Sequence, residues 1–133
     1  MIKVTLALPS NRGIKNKTVE SALKMVAYSK DIDWHIICPS EGYTIAENRN
    51  YVATQACNNN SDFLFMADDD MIFPPDTLET LMEDDKDIVS VAYHPRSETG
   101  EIIKYLDETH IVKLQQNEDP KYKKLFECHA TGT

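Results

Sequence analysis

Short apolar runs alternate with helix-patterned segments along the first ninety or so residues, and this alternation constrains the fold more than any other feature. Residues 2–8 are apolar and β-branched and are closed by Pro9 and Ser10, the pattern of a buried strand. After a polar loop over 11–16, residues 18–29 place Val19, Ala22, Leu23 and Val26 at the spacing of one helical face. A second run, 34–38, stops at Pro39, and 40–43 reads as a loop. Thr44 with Glu47 three residues on is a capping box; it predicts a helix running to about Asn58, where three asparagines end it. Residues 63–66 are wholly apolar, a further helix carrying Leu78, Leu81 and Met82 follows Pro74 and Pro75, and 88–93 reads as a fourth strand. Strands alternating with helices predict an α/β fold, a mainly parallel sheet flanked by helices on both faces. Beyond Tyr93 the pattern changes to shorter runs, 102–106 and 111–114, expected as antiparallel strands added at the C-terminal end of the sheet. Residues 118–127 suit helix and loop equally. With no repeat, low-complexity tract or linker, residues 1–133 read as one domain.

Composition narrows the function. A chain of 133 residues can bury a core, and its formal net charge of −8 repels polyanions, which argues against nucleic acid as a partner. No apolar run approaches the roughly 18 residues of a membrane span. The stretch 4–8, behind a single lysine, is too short for a signal peptide, so a cytoplasmic location is expected. Cys38, Cys57 and Cys128 are odd in number, far apart and outside any C-x-x-C pattern, which predicts reduced thiols rather than disulfides or a zinc site. An acidic chain can still bind a phosphorylated small molecule when a metal ion supplies positive charge locally.

The chemistry concentrates at Asp68, Asp69 and Asp70, directly after the apolar run 63–66. Ligands of open α/β sheets gather at the carboxyl ends of strands. If the backbone stays extended, Asp68 and Asp70 face one side and Asp69 the other. Crowded carboxylates repel unless a cation lies between them, and hard oxygen ligands suit Mg²⁺ or Mn²⁺ shared with substrate phosphates. The plainer reading of the triplet is a solvated turn or a cap of the following helix.

The stretch Phe63-Leu-Phe-Met-Ala-Asp-Asp-Asp-Met-Ile-Phe-Pro-Pro-Asp-Thr-Leu78 resembles the D-x-D segment of GT-A-type glycosyltransferases, in which an apolar strand, the acidic motif and an F-P-P-D-x-L helix start follow one another. Glu47-Asn48-Arg49-Asn50 looks like the Ala-Arg-Asn element on the preceding helix, and residues 87–93 are similar to the strand that follows. Together these elements span about 2–93. The resemblance implies a GT-A, Rossmann-like nucleotide-diphospho-sugar transferase fold and a metal-dependent glycosyltransferase. It implies Asp70 as direct ligand of Mn²⁺ or Mg²⁺, with Asp68 reaching the ribose or the metal and Asp69 as the variable middle position. The donor, a UDP- or GDP-linked sugar, would lie against Pro9, Ser10, Asn11 and Arg12, with Arg49 reaching a phosphate, a partner that suits a guanidinium. The acceptor remains unknown.

Each residue has a plainer reading beside this one. Arg12 and Arg49 suit a solvated surface, Asn11 a turn, Tyr43 a hydrophobic staple, Trp34 the core, and His94 and His110 surface or packing positions. The acceptor side, the catalytic base and any late metal-binding histidine of GT-A enzymes fall downstream of the matching region, so no catalytic residue is assigned. The segment 128–133 resembles the Gly-containing approach to that side, and the acceptor half is expected to be incomplete within these residues.

Two other enzyme classes compete. Asp68-Asp69-Asp70-Met71-Ile72 is close to the D-x-D-x-[TV] of haloacid-dehalogenase-type phosphatases, but it follows the third run rather than the first, and no later G-D-x-x-x-D appears. A sugar-phosphate nucleotidyltransferase requires a Gly-rich loop that residues 9–13 do not provide. A calcium loop beginning at Asp68 fails at Phe73, where glycine is required. A catalytically inactive metal- or nucleotide-binding module is the non-enzymatic alternative.

Overall fold

The computed structural model describes residues 1–39, 43–91, 102–105 and 111–114. The chain divides into two units, Met1–Thr80 and Leu81–Thr133.

In the first unit, β1 (Ile2–Ala7) lies between β2 (Ile32–Ile37) and β3 (Phe63–Met66), and all three strands are parallel. Ile2 pairs with Ile32 and Ala7 with Ile37 on one side, and Val4 with Phe63 and Ala7 with Met66 on the other. Consecutive residues Val4 to Leu8 are buried. Successive strand side chains point to opposite faces, so both faces of β1 are covered. The helices α1 (Asn16–Tyr28) and α2 (Ile45–Asn58) provide that cover. The chain steps from β1 to β2 through α1, then returns past β1 to β3 through α2. Right-handed crossovers in opposite directions put the two helices on opposite faces. Leu6, Met25, Val4 and Val52 are the largest fully buried apolar side chains, each stabilising the fold by about 1.5–3 kcal/mol relative to exposure. Phe65 packs a tilted ring against Phe73, with centroids 5.5 Å apart.

The α2 boundaries follow from the sequence. Thr44 Oγ1 accepts the Glu47 N–H at 3.2 Å and Glu47 Oε2 accepts the Thr44 N–H at 2.8 Å, so the predicted capping box is formed. The helix ends at Asn58, and Asn60 adopts φ 53°, a left-handed conformation that asparagine tolerates. β2 begins two residues before the predicted start, because Asp31 turns the chain at φ 61° and leaves Ile32 in register with Ile2. Trp34 is half-buried rather than a central core residue.

The buried face of α1 differs from the predicted one. Thr18, Ser21, Ala22 and Met25 face the core, whereas Leu23 is 63% exposed and Val19 is also exposed. The polar members of this face have partners: Thr18 Oγ1 donates to the Asp69 carbonyl at 3.1 Å, and Ser21 Oγ donates to the Lys17 carbonyl at 3.0 Å while accepting the Phe73 N–H at 3.3 Å. A hydroxyl with such partners is buried at little net cost, so docking to the segment after β3 sets the rotation of the helix.

A short helix, α3 (Thr77–Glu83), crosses the boundary between the units. The predicted strand over 88–93 is not found in its described part: 88–91 are not extended into a ladder and Ile88 is 90% exposed. No strand among the described residues pairs with them, and an apolar run without a ladder partner does not satisfy its backbone as a strand. Residues 92–93 lie outside the described residues, as do His94, His110, Cys128 and the stretch 118–127. In the second unit, β4 (Ile102–Tyr105) and β5 (Ile111–Leu114) pair antiparallel, Ile102 with Leu114 and Tyr105 with Ile111. The predicted antiparallel pair is therefore present, but as a two-stranded sheet of its own rather than an extension of the parallel sheet. Among the described residues, no helix is long and apolar enough to cross a membrane.

Candidate functional site

The order β2-β1-β3 makes the boundary between β1 and β3 the place where the chain reverses its direction of travel across the sheet. In an open α/β sheet the carboxyl ends of strands at such a point are where ligands bind. The Leu8 N–H bonded to the Ile37 carbonyl (3.1 Å) and the Ala67 N–H bonded to the Ala7 carbonyl (3.1 Å) keep all three strands paired up to that end. The loop after β1 and the acidic segment after β3 therefore leave the sheet side by side.

The acidic segment does not continue the strand. β3 ends at Met66, and the Met71 N–H donates to the Asp68 carbonyl at 3.3 Å, closing a turn. The alternation that would turn Asp69 away from Asp68 and Asp70 stops with the strand. Asp69 is instead the most buried of the three, at 8% exposure. Its Oδ2 accepts Ser10 Oγ at 2.7 Å and Arg12 Nε at 3.2 Å, and its Oδ1 accepts Arg12 Nη2 at 3.1 Å. Its backbone carbonyl accepts the Lys15 N–H at 2.8 Å and the Thr18 hydroxyl. The loop after β1, the start of α1 and the turn after β3 are thus fastened on one residue. A hydrogen bond from Ser10 to a buried charged carboxylate contributes about 1.5–3 kcal/mol.

Arg12 reaches further. The same Nη2 donates to Asp70 Oδ2 at 3.3 Å, so one guanidinium spans two consecutive carboxylates. Its hydrogen bond to Asp69, then the charge of that carboxylate, raise the pKa of Arg12 above the ordinary arginine value. Its side chain is more than half exposed, and the pairing positions groups more than it stabilises the fold.

From the other helix, Arg49 Nη2 donates to Asp68 Oδ1 at 3.3 Å. The preceding residue, Asn48, is 2% exposed and donates from Nδ2 to the Ser10 carbonyl at 3.3 Å. Two buried atoms of these residues, Asn48 Oδ1 and Arg49 Nε, have no hydrogen-bond partner among the described residues.

The structure thus brings Ser10, Arg12, Asp69 and Asp70 into one cluster, with Asp68 and Arg49 as a second pair on the same turn. Pro9 is half-buried and Asn11 exposed within the loop. Sequence reasoning missed Asn48 and Thr18 as members of the site. A signal for Asn48 existed: it falls in phase with Val52 and Ala56, the buried stripe of α2, where an amide requires a specific partner. Thr18 gave no comparable signal, since its partner is a backbone carbonyl far along the chain.

Three carboxylates and two guanidinium groups meet in these pairs. No group of three or more His, Cys, Asp or Glu side chains among the described residues is placed to hold a metal ion. The half-exposed Asp68 and the more enclosed Asp70 form a donor set of hard carboxylates. Such a set fits Mg²⁺ or Mn²⁺ shared between one or two protein carboxylates and phosphate oxygens, not a cage made by protein alone. Comparison of the chain with protein-family models, with curated proteins and with solved structures finds no match.

Proposed function

We propose that this chain carries the donor-binding part of a GT-A-type, metal-dependent glycosyltransferase that uses a nucleoside-diphosphate sugar, UDP- or GDP-linked. The observation supporting this most directly is the joining of the loop after β1 to the acidic turn after β3, through Ser10, Arg12 and Asp69, at the crevice where the sheet changes direction. The resemblance of residues 63–78 to the D-x-D segment names the reaction class.

In that reading, Ser10 to Arg12 lie along the nucleotide, Arg49 pairs with a phosphate oxygen, and Asp70 with Asp68 would hold Mn²⁺ or Mg²⁺. The divalent ion would stabilise, as a Lewis acid, the charge that grows on the diphosphate as the sugar departs. Asp69 keeps the turn in place, a structural part in a binding site.

Calorimetric titration with UDP and GDP, with and without Mn²⁺, tests the proposal. Binding that requires both the metal and the diphosphate is expected. Failure of both nucleotides to bind with Mn²⁺ present, or release of phosphate from a generic aryl phosphate, would replace it with a different reading.

A further inference from the structure

We propose that Thr18 and Ser21 of α1 are positioning residues of the acidic turn: they hold the backbone on both sides of Asp70, and so set where this carboxylate meets a ligand. This rests on the donor-binding reading above and adds to it two residues that act on the site without touching the ligand.

Three observations carry the inference. First, the two hydroxyls stand at i and i+3, on one face of the helix, and their partners flank Asp70 in the segment after β3. Thr18 Oγ1 donates to the Asp69 carbonyl at 3.1 Å. Ser21 Oγ, held by its own bond to the Lys17 carbonyl at 3.0 Å, accepts the Phe73 N–H at 3.3 Å. Second, each of these attachment points has another anchor. The Asp69 carbonyl also accepts the Lys15 N–H at 2.8 Å, and the Phe73 ring packs on Phe65 of β3. Residues 70–72 are thus a short bridge between two anchored ends. Third, the helix gives up apolar burial to make these bonds. Thr18 and Ser21 are buried, while Val19 and Leu23 on the same helix are exposed. A rotation that buried Val19 and Leu23 instead would remove more apolar surface from water, and a buried hydroxyl bond adds little net stability. Departures of this kind from the most stable pattern are expected where a site has to be held in shape.

Both hydroxyls meet backbone groups, so what they fix is the path of the chain through the turn. Binding groups have to be held to within about 0.5 Å of their working geometry. A three-residue bridge released at one end has the freedom to leave that range, although the strands on which it stands remain paired.

Thr18→Val in the full chain deletes one hydroxyl at nearly constant volume, and the Asp69 carbonyl keeps the Lys15 N–H. Thr18→Ser keeps the hydroxyl, and Ser21→Ala releases the other end of the bridge. Each is compared with the wild type by urea unfolding, by amide NMR without ligand, and by calorimetry with UDP and GDP at saturating Mn²⁺. In Thr18→Val the urea midpoint should stay near that of the wild type or rise, while the amide signals of residues 69–73 shift. Nucleotide binding should weaken about fivefold in this variant, the size of one hydrogen bond, and Thr18→Ser should bind close to wild-type strength. Ser21→Ala should show a similar loss together with faster exchange of the Phe73 N–H, and it carries the test if circular dichroism shows Thr18→Val unfolded. Unmoved amide signals, or wild-type affinity in variants whose turn has shifted, would overturn the positioning role and leave the donor-binding reading standing. A loss of affinity that follows a loss of stability, and that Thr18→Ser does not restore, would overturn it as well. Absence of Mn²⁺-dependent nucleotide binding in the wild type would overturn both.

Discussion

The Ser10 hydroxyl donates to the Asp69 carboxylate at 2.7 Å, across 59 positions of sequence, and joins the ends of two neighbouring parallel strands. Arg12 donates to the same carboxylate, and Thr18 and the Lys15 N–H to the backbone carbonyl of the same residue. The middle aspartate of the triplet is therefore the structural one, and Asp68 is the most exposed of the three.

From this follows a difference in stability between Asp69 and Asp68 variants. Asp69→Ala removes the acceptor of a buried hydroxyl and should cost about 2–3 kcal/mol. Asp68→Ala breaks a half-exposed pair and should cost less than about 1 kcal/mol. Urea unfolding midpoints measure both. Equal midpoints would show that Asp69 does not fasten the crevice.

The reason Asp69 was not legible in the sequence is specific. Alternation along a strand predicts that the residue between Asp68 and Asp70 points away from them, and the argument holds only while the strand continues. It ends at Met66, and nothing within 63–70 marks that end. The rotation of α1 was hidden for a related reason. Val19, Leu23 and Val26 look more core-forming than Thr18 and Ser21, until the Asp69 carbonyl and the Phe73 N–H are known to lie opposite the two hydroxyls. Features whose causes are local were legible: the apolar runs of β1 and β3, the Thr44–Glu47 cap, and the asparagines that end α2. The run 88–91 shows the converse, since apolar residues alone do not form a strand without a partner.

The cap itself gives a second prediction. Thr44→Ala removes the acceptor for the Glu47 N–H and should destabilise the protein by about 1 kcal/mol, read as a lowered midpoint in thermal unfolding. Because Asn48 and Arg49 occupy the turn that this cap begins, nucleotide binding should weaken in the same variant.

Glu20 lies between Lys17 and Lys24 on α1, with ion pairs of 2.8 and 2.7 Å. Its hydrogen bonds to Lys17 and Lys24, then their charges, lower its carboxyl pKa to about 2. A folded-state pKa below that of the unfolded chain, about 4.3, means that the pairing stabilises the fold fully above the unfolded value. The contribution declines as pH falls from there and is gone below about 2. NMR titration should find the Glu20 carboxyl titrating well below other exposed glutamates at low salt, and less so in 1 M NaCl, where exposed pairs are screened.

Arg49 separates phosphate recognition from recognition of the nucleoside. If it meets a donor phosphate, Arg49→Ala should weaken nucleoside diphosphate binding about tenfold or more, the size expected for a charge-assisted hydrogen bond. Binding of the nucleoside alone should change little. Calorimetry on the two ligands provides the comparison, and equal weakening would return Arg49 to the part of a counter-ion for Asp68.

The proposed reading puts a divalent ion together with a nucleoside diphosphate in the crevice between the ends of β1 and β3. Paramagnetic broadening of backbone amide NMR signals by substoichiometric Mn²⁺ tests it most directly, because the effect reports distance from the ion. With GDP or UDP present, broadening should centre on residues 10–12, 48–49 and 68–71, with the far end of the sheet, Ile2, Ile32 and Phe63, spared. Without nucleotide, the broadening should be much weaker. Broadening centred elsewhere, or identical with and without nucleotide, would rule out joint binding at this crevice.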